Sequence, residues 1–168
     1  MIKKIYNFFS TIFLIMVVLI AVVLVLPHVL GFKTYAVISG SMEPALHVGS
    51  LTYVKSSLPE EIEEGDIITF LISQESSLVA THRVVSINLN DSYFITKGDA
   101  NESEDAPIQF NKLIGKTLFS IPYLGYLTVF LKTKEGIVLT ILILALTILL
   151  SVIPSIIKRE KCQSENNS

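Results

Sequence analysis

At 168 residues with 51% hydrophobic side chains and a mean hydropathy of +0.60, the chain is too apolar for an ordinary soluble domain and leaves room for one modest core beside membrane segments. A formal net charge of −2 excludes the basic balance that a nucleic-acid partner calls for. A single cysteine, Cys162, excludes an intramolecular disulfide, so any folded domain must hold by packing alone.

Lys3 and Lys4 open the chain, and from Ile5 to Phe32 there is no Lys, Arg, Asp or Glu. Ile12 to Leu26 is an unbroken run of Ile, Leu, Val, Met, Phe and Ala, long enough with its flanks to cross a bilayer at about 1.5 Å per residue. A short basic stretch before an apolar run is also how a cleaved secretory signal begins. Here the run is long, and Pro27-His28-Val29-Leu30-Gly31-Phe32 offers no small-x-small cleavage site, so an uncleaved anchor is expected.

Short β-rich runs come next, separated by turn chemistry: Thr34 to Ile38, Ser50 to Lys55, Asp66 to Ile72, Val79 to Ile87, Tyr93 to Lys97 and Lys112 to Ser120. Pro59 to Asp66, Gln74 to Ser77 and Asn88 to Asp91 are turns or loops. The acidic cluster Glu60, Glu61, Glu63 and Glu64 brings no histidine and no ligand spacing, so it is read as a solvated turn. No interval between the apolar ends shows an amphipathic helical period. Ile121 to Lys134 is apolar and aromatic, and two placements stay open for it: against the outer leaflet, or closing the β core.

Gly136 to Ile157 is a second charge-free stretch, of spanning length, trailed by Lys158, Arg159 and Lys161. Basic residues outside both spans put both termini in the cytoplasm by the positive-inside rule. The expectation is therefore a mainly β protein, a small all-β domain at 33–135 between two transmembrane helices at 1–32 and 136–157, with a cytoplasmic tail at 158–168. The lipid bilayer is a partner. The middle segment carries eight Lys and Arg against thirteen Asp and Glu, which again argues against nucleic acid.

Three polar groupings within the β segment carry chemistry. Ser39-Gly40-Ser41-Met42-Glu43-Pro44 holds a serine after glycine, where the backbone can turn sharply and leave a hydroxyl uncovered, and Pro44 constrains the backbone beside it. Thr81-His82-Arg83-Val84 offers an imidazole, a side chain with a reference pKa of about 6.5 that can accept a serine proton near neutrality. His28, at the end of an apolar run, and His47, in the same local loop as Ser41, lack such a setting. Lys97-Gly98-Asp99-Ala100-Asn101, with Asp105 six residues after Asp99, offers two carboxylates that could orient the imidazole. No Cys/His cluster, phosphate-cradling loop or dinucleotide fingerprint points to a metal or organic cofactor, and none is expected.

Those three segments, in that order, resemble type I signal peptidases, the membrane-bound serine proteases that remove signal peptides, and within them the Ser/His branch of the endoplasmic reticulum, archaea and some bacteria. The resemblance covers roughly Val37 to Tyr126. It implies that Ser41 is the nucleophile, and that the Ser41 backbone N–H and the Ser39 hydroxyl form an oxyanion hole. Met42 is implied to line the floor near the substrate side chains. His82 stands where most bacterial relatives carry a lysine base. The resemblance favours Asp105 as the histidine's partner, with Asp99 supporting the site through Lys97, Arg83 or the nucleophile loop. Ala100 departs from the pattern, since many relatives have Asn there. The implied activity is cleavage of exported precursors after a small-x-small motif, with signal peptides as substrates. The rival readings are a membrane-anchored β-domain that binds or assembles partners without catalysis, and a protease of other precursors.

Overall fold

The computed structural model describes residues 2–73 and 78–149. The Gln74 to Ser77 loop, residues 150–157 of the expected second span, and the tail with Cys162 lie outside the described residues.

Helix α1 runs Ile2–Val29, and within it Phe8–Val29, 22 residues, is long and apolar enough to cross a membrane. At 1.5 Å per residue that is about 33 Å, the thickness of a hydrocarbon core. The helix ends for local reasons. Pro27 removes one backbone donor from the last turn, the N–H of Leu30 still reaches the Leu26 carbonyl at 3.0 Å, and Gly31 takes the left-handed conformation, φ 82°, that closes many helices. Among the described residues α1 is the one helix that meets the spanning criterion. Residues 134–149 are also helical.

Residues 25–129 form one compact unit. Its frame is a seven-stranded antiparallel sheet in the order β1-β2-β7-β3-β4-β5-β6, made of β1 (Phe32–Ala36), β2 (Leu51–Lys55), β3 (Ile67–Leu71), β4 (Val79–Asn88), β5 (Tyr93–Lys97), β6 (Ile108–Gln109) and β7 (Leu113–Ile121). Ile62, Ile68, Phe70, Val84, Phe94 and Ile108 make its apolar core, with Ala80, Ile87, Phe110 and Leu113 packed against them. Phe94 lies against Phe110 with ring centroids 4.5 Å apart. Each fully buried large side chain is worth about 1.5–3 kcal/mol, so this cluster is the main support for β3, β4 and β5. Three threonines inside the sheet are paired with one another: the Thr69 hydroxyl meets those of Thr81 at 2.8 Å and Thr117 at 3.0 Å, linking β4, β3 and β7.

Several boundaries differ from those expected. The first strand is Phe32–Ala36 and not Thr34 to Ile38, because after Ala36 the chain leaves the regular ladder, keeping only the Val37 N–H on the Ser50 carbonyl and the Gly49 N–H on Val37. The two-residue β6 has no sequence signal. Within the Ile121 to Lys134 stretch, Leu124–Leu131 is helix α2, so the unit at 33–135 is mainly β and not all β. The helix sequence, LGYLTVFL, is apolar on every side and so has no period to read. Close approach of backbones holds it. A Cβ on Gly125 would lie 2.3 Å from the Ser50 carbonyl oxygen, and one on Gly49 would lie 1.9 Å from the Tyr126 ring.

Candidate active site

The loop from Val37 to Gly49 is anchored by two apolar side chains, Met42 and Leu46, which are 2% and 4% exposed. Between them the chain folds on itself, with the Glu43 N–H on the Gly40 carbonyl at 3.0 Å and the Leu46 N–H on Met42 at 2.8 Å. The Glu43-Pro44 bond is cis. Ser41 is thus held just ahead of a buried anchor while its own side chain stays partly exposed.

His82 reaches Ser41 from the middle of the sheet. It lies on β4, paired across the ladder with Ile68 of β3, and the Phe70 ring packs edge-to-face with the imidazole, ring centroids 6.1 Å apart. Its Nε2 is 3.2 Å from Ser41 Oγ, within the reach expected of a general base. Its Nδ1 is 2.6 Å from Asp105 Oδ2. The imidazole is 13% exposed and the carboxylate 26%, so water can reach the pair without surrounding it. Ser39 Oγ sits 3.4 Å from Ser41 Oγ. Forty-one residues separate the histidine from the serine and twenty-three from the aspartate; the antiparallel sheet brings all three together.

Asp99 is placed differently. Both its carboxylate oxygens accept from Arg83, from Nε at 2.8 Å and from the far guanidinium nitrogen at 2.7 Å, and Arg83 also donates to the Gly65 carbonyl at 2.9 Å. The guanidinium is held more firmly protonated by that carboxylate, through the hydrogen bonds first and the charge second. Of the routes left open for Asp99, the structure thus has it on Arg83, the residue next to His82.

The turn after β5 also touches the loop that carries Ser41. The Ala100 N–H donates to the Ser41 carbonyl at 2.9 Å, and a Cβ on Gly98 would come within 2.6 Å of that same oxygen. The contact uses the backbone N–H of residue 100, which alanine supplies. Thr96, which carries no sequence signal beyond β propensity, donates its hydroxyl to Asp105 Oδ2 at 2.6 Å.

A cleft of about 290 Å³ opens beside Ser41, its wall built of Ala36, Ile38, Met42, Leu46, Val79 and Ala80. The lining is mostly apolar, with Ser39, Thr52, Thr81 and His82 adding polar groups, and Met42 contributes to it while remaining almost wholly buried. The other two histidines stand elsewhere: His47 Nδ1 is 2.5 Å from Glu43 Oε2 on the exposed loop, and His28 Nε2 is 3.4 Å from the Thr34 hydroxyl. The Glu43 carboxyl is held below its usual range by the Val48 N–H first and by His47 second.

Residues 9–88, just under half of the chain, match the family described as Signal peptidase, peptidase S26. The chain is 42% identical over 86 residues to signal peptidase I W of Bacillus subtilis strain 168, covering 49% of this chain and 44% of that protein. It is 30% identical over 107 residues to the signal peptidase complex catalytic subunit SEC11C of Homo sapiens, covering 57% of this chain and 55% of that protein. It is 30% identical over 111 residues to the corresponding SEC11 subunit of Zygosaccharomyces rouxii, covering 59% and 65%. The chain spans about half the length of the first two of these relatives. The family match takes in Ser41 and His82 and stops before Asp99 and Asp105.

Proposed function

We propose that the protein is a membrane-anchored serine endopeptidase that removes signal peptides from exported precursors by cleavage after a small-x-small motif. The observation that carries the reading is the hydrogen-bonded line Ser41 Oγ, His82 Nε2, His82 Nδ1, Asp105 Oδ2, at 3.2 and 2.6 Å, in a chain whose residues 9–88 match signal peptidases. Asp105 accepts the Nδ1 proton, which leaves the Nε2 lone pair facing the serine hydroxyl. His82 takes that proton as Ser41 Oγ attacks the scissile carbonyl. The oxyanion that forms is met by the Ser41 backbone N–H and the Ser39 hydroxyl. The imidazolium then protonates the leaving amine, and the acyl-enzyme is hydrolysed by water activated at the same nitrogen. Asp99 keeps β4 and the turn after β5 together through Arg83, so its part in the site is support.

Small side chains suit the cleft because a shallow apolar wall excludes bulk by steric clash. The apolar run of α1 anchors the enzyme, and only twelve residues separate its end at Val29 from Ser41, a reach of at most about 40 Å. Residues 33–135 form the catalytic domain outside the cytoplasm, 136–157 form a second span, and the segments at both termini are cytoplasmic. The partners are exported precursors and the bilayer.

Purified full-length protein, incubated with a panel of exported precursors, should release signal peptides, and Ser41→Ala should abolish release while expression and membrane insertion persist. Equal activity in the two would sink the enzymatic reading. For the topology, a reporter active only outside the cytoplasm should work when inserted in the Gln74 to Ser77 loop and fail when fused after Ser168. The reverse pattern would place the serine on the wrong side.

A further inference from the structure

Asp105 lies on an irregular stretch between β5 and β6, yet the proton chain needs its Oδ2 in a fixed place. We propose that Thr96 is the residue that fixes it, a positioning residue for the His82–Asp105 pair. The inference rests on the serine-protease reading of the site. Thr96 holds Asp105 twice: its hydroxyl donates to Oδ2 at 2.6 Å, and its carbonyl accepts the Asp105 N–H at 2.8 Å. The oxygen that takes the threonine hydroxyl is the one that takes His82 Nδ1. Two donors therefore converge on one carboxylate oxygen, one from each of two neighbouring strands.

The strand makes this anchor rigid. Thr96 is fully buried on β5, where it pairs with Val84 of β4, and the next pair along is Arg83 with Lys97. His82 therefore lies one position beyond, on the strand that β5 flanks. A β-branched side chain on a strand is stiff about χ1, so the hydroxyl keeps a fixed direction toward the loop beyond Gly98. A buried threonine hydroxyl needs a partner, and the carboxylate supplies it. The consequence for the reaction is orientation: when Ser41 gives its proton to Nε2, the Nδ1–H already points at an oxygen whose position the sheet has set.

Two substitutions separate this role from plain packing. Thr96→Val keeps the shape and removes the hydroxyl; Thr96→Ser keeps the hydroxyl and removes a methyl group from the core. In full-length protein, Thr96→Val should lower kcat on a cleavable precursor by roughly tenfold, the typical worth of one hydrogen bond to a charged group, with KM unchanged. Thr96→Ser should behave as wild type. In an Asp105→Asn background Thr96→Val should cost nothing further. The proton resonance of the His82 Nδ1–H, read in histidine-labelled protein, should move in Thr96→Val and stay in Thr96→Ser. Native kcat and an unmoved resonance in Thr96→Val would overturn the proposal. So would a Thr96→Ser variant as poor as Thr96→Val, or an undiminished effect of Thr96→Val beside Asp105→Asn. If the wild-type protein cleaves no precursor, the function fails, and the resonance alone still decides whether Thr96 holds the pair.

Discussion

Among the described residues of the β unit, two histidine–carboxylate pairs stand in contrast. His47 and Glu43 lie four residues apart on one exposed loop, with side chains 61% and 37% exposed. His82 and Asp105 lie twenty-three residues apart and are joined by the sheet, with side chains 13% and 26% exposed. The first pair is a local contact that water surrounds; such surface pairs contribute about 0–1 kcal/mol. The second is oriented on both sides, by Thr96 at the carboxylate and by Ser41 at the imidazole. The pairing of an imidazole with a carboxylate is thus not what makes a site. A third group on the far nitrogen, and a scaffold that joins strand to loop, distinguish the His82 pair from the His47 pair.

The largest effect should come from removing the two imidazoles in turn. His82→Ala should lower the rate of precursor cleavage by roughly 10⁴-fold or more, the usual cost of losing a member of a serine triad. His47→Ala, closer in sequence to the nucleophile, should stay within a few-fold of wild type. A fully active His82→Ala enzyme would mean that the serine proton goes elsewhere. Replacing the carboxylates should give the next effect. Asp105→Asn should cost roughly 10²- to 10⁴-fold in kcat, because an amide can present its N–H to the ring and favour the wrong tautomer. Asp99→Asn leaves the imidazole's partner in place and weakens the bidentate bond to Arg83, which is partly exposed. Its cost should be on the order of 1 kcal/mol in stability, seen as a lower thermal midpoint. Equal losses of kcat for the two variants would erase the distinction between them.

Much of the fold and site is legible in the sequence, for reasons that differ by element. Strands β2, β4 and β5 announce themselves because β-branched and aromatic residues alternate between turn residues at their ends. Ser41 and His82 are readable because each sits in a local pattern, while the partnership of Asp105 comes only from a resemblance, since nothing in spacing says which aspartate a folded sheet will bring to a ring. Helix α2 is hidden by its uniform apolarity, and Thr96 by being what a strand would contain anyway. Contacts that depend on missing atoms, such as Gly98 beneath the Ser41 carbonyl, become visible only once two backbones are seen to meet.

The smallest effect concerns the exposed pair, and it tests whether that pair is as local as it looks. Glu43 accepts the Val48 N–H at 3.1 Å through Oε1 and His47 through Oε2. Both interactions favour the carboxylate over the acid, which is why its pKa lies below the usual range, the Val48 bond being the larger cause. A depressed folded-state pKa means a contribution that is complete above the ordinary glutamate value, about 4.3, and lost as pH falls through the lower folded value. The closing of the loop from Glu43 to Val48 should therefore be independent of pH near neutrality and weaken only on strong acidification. Hydrogen-exchange protection of the Val48 amide, corrected for the intrinsic rate, should drop in that acidic window in the wild-type protein. Glu43→Gln keeps an acceptor for Val48 but cannot titrate, so its protection should be lower at neutral pH and flat across the same window. Cleavage at neutral pH should change little in Glu43→Gln, because Met42 and Leu46, both buried, anchor the nucleophile loop without help from the ion pair. A large fall in kcat for Glu43→Gln would show instead that the exposed pair reaches Ser41 through the loop it closes, and the two pairs would then be parts of one site.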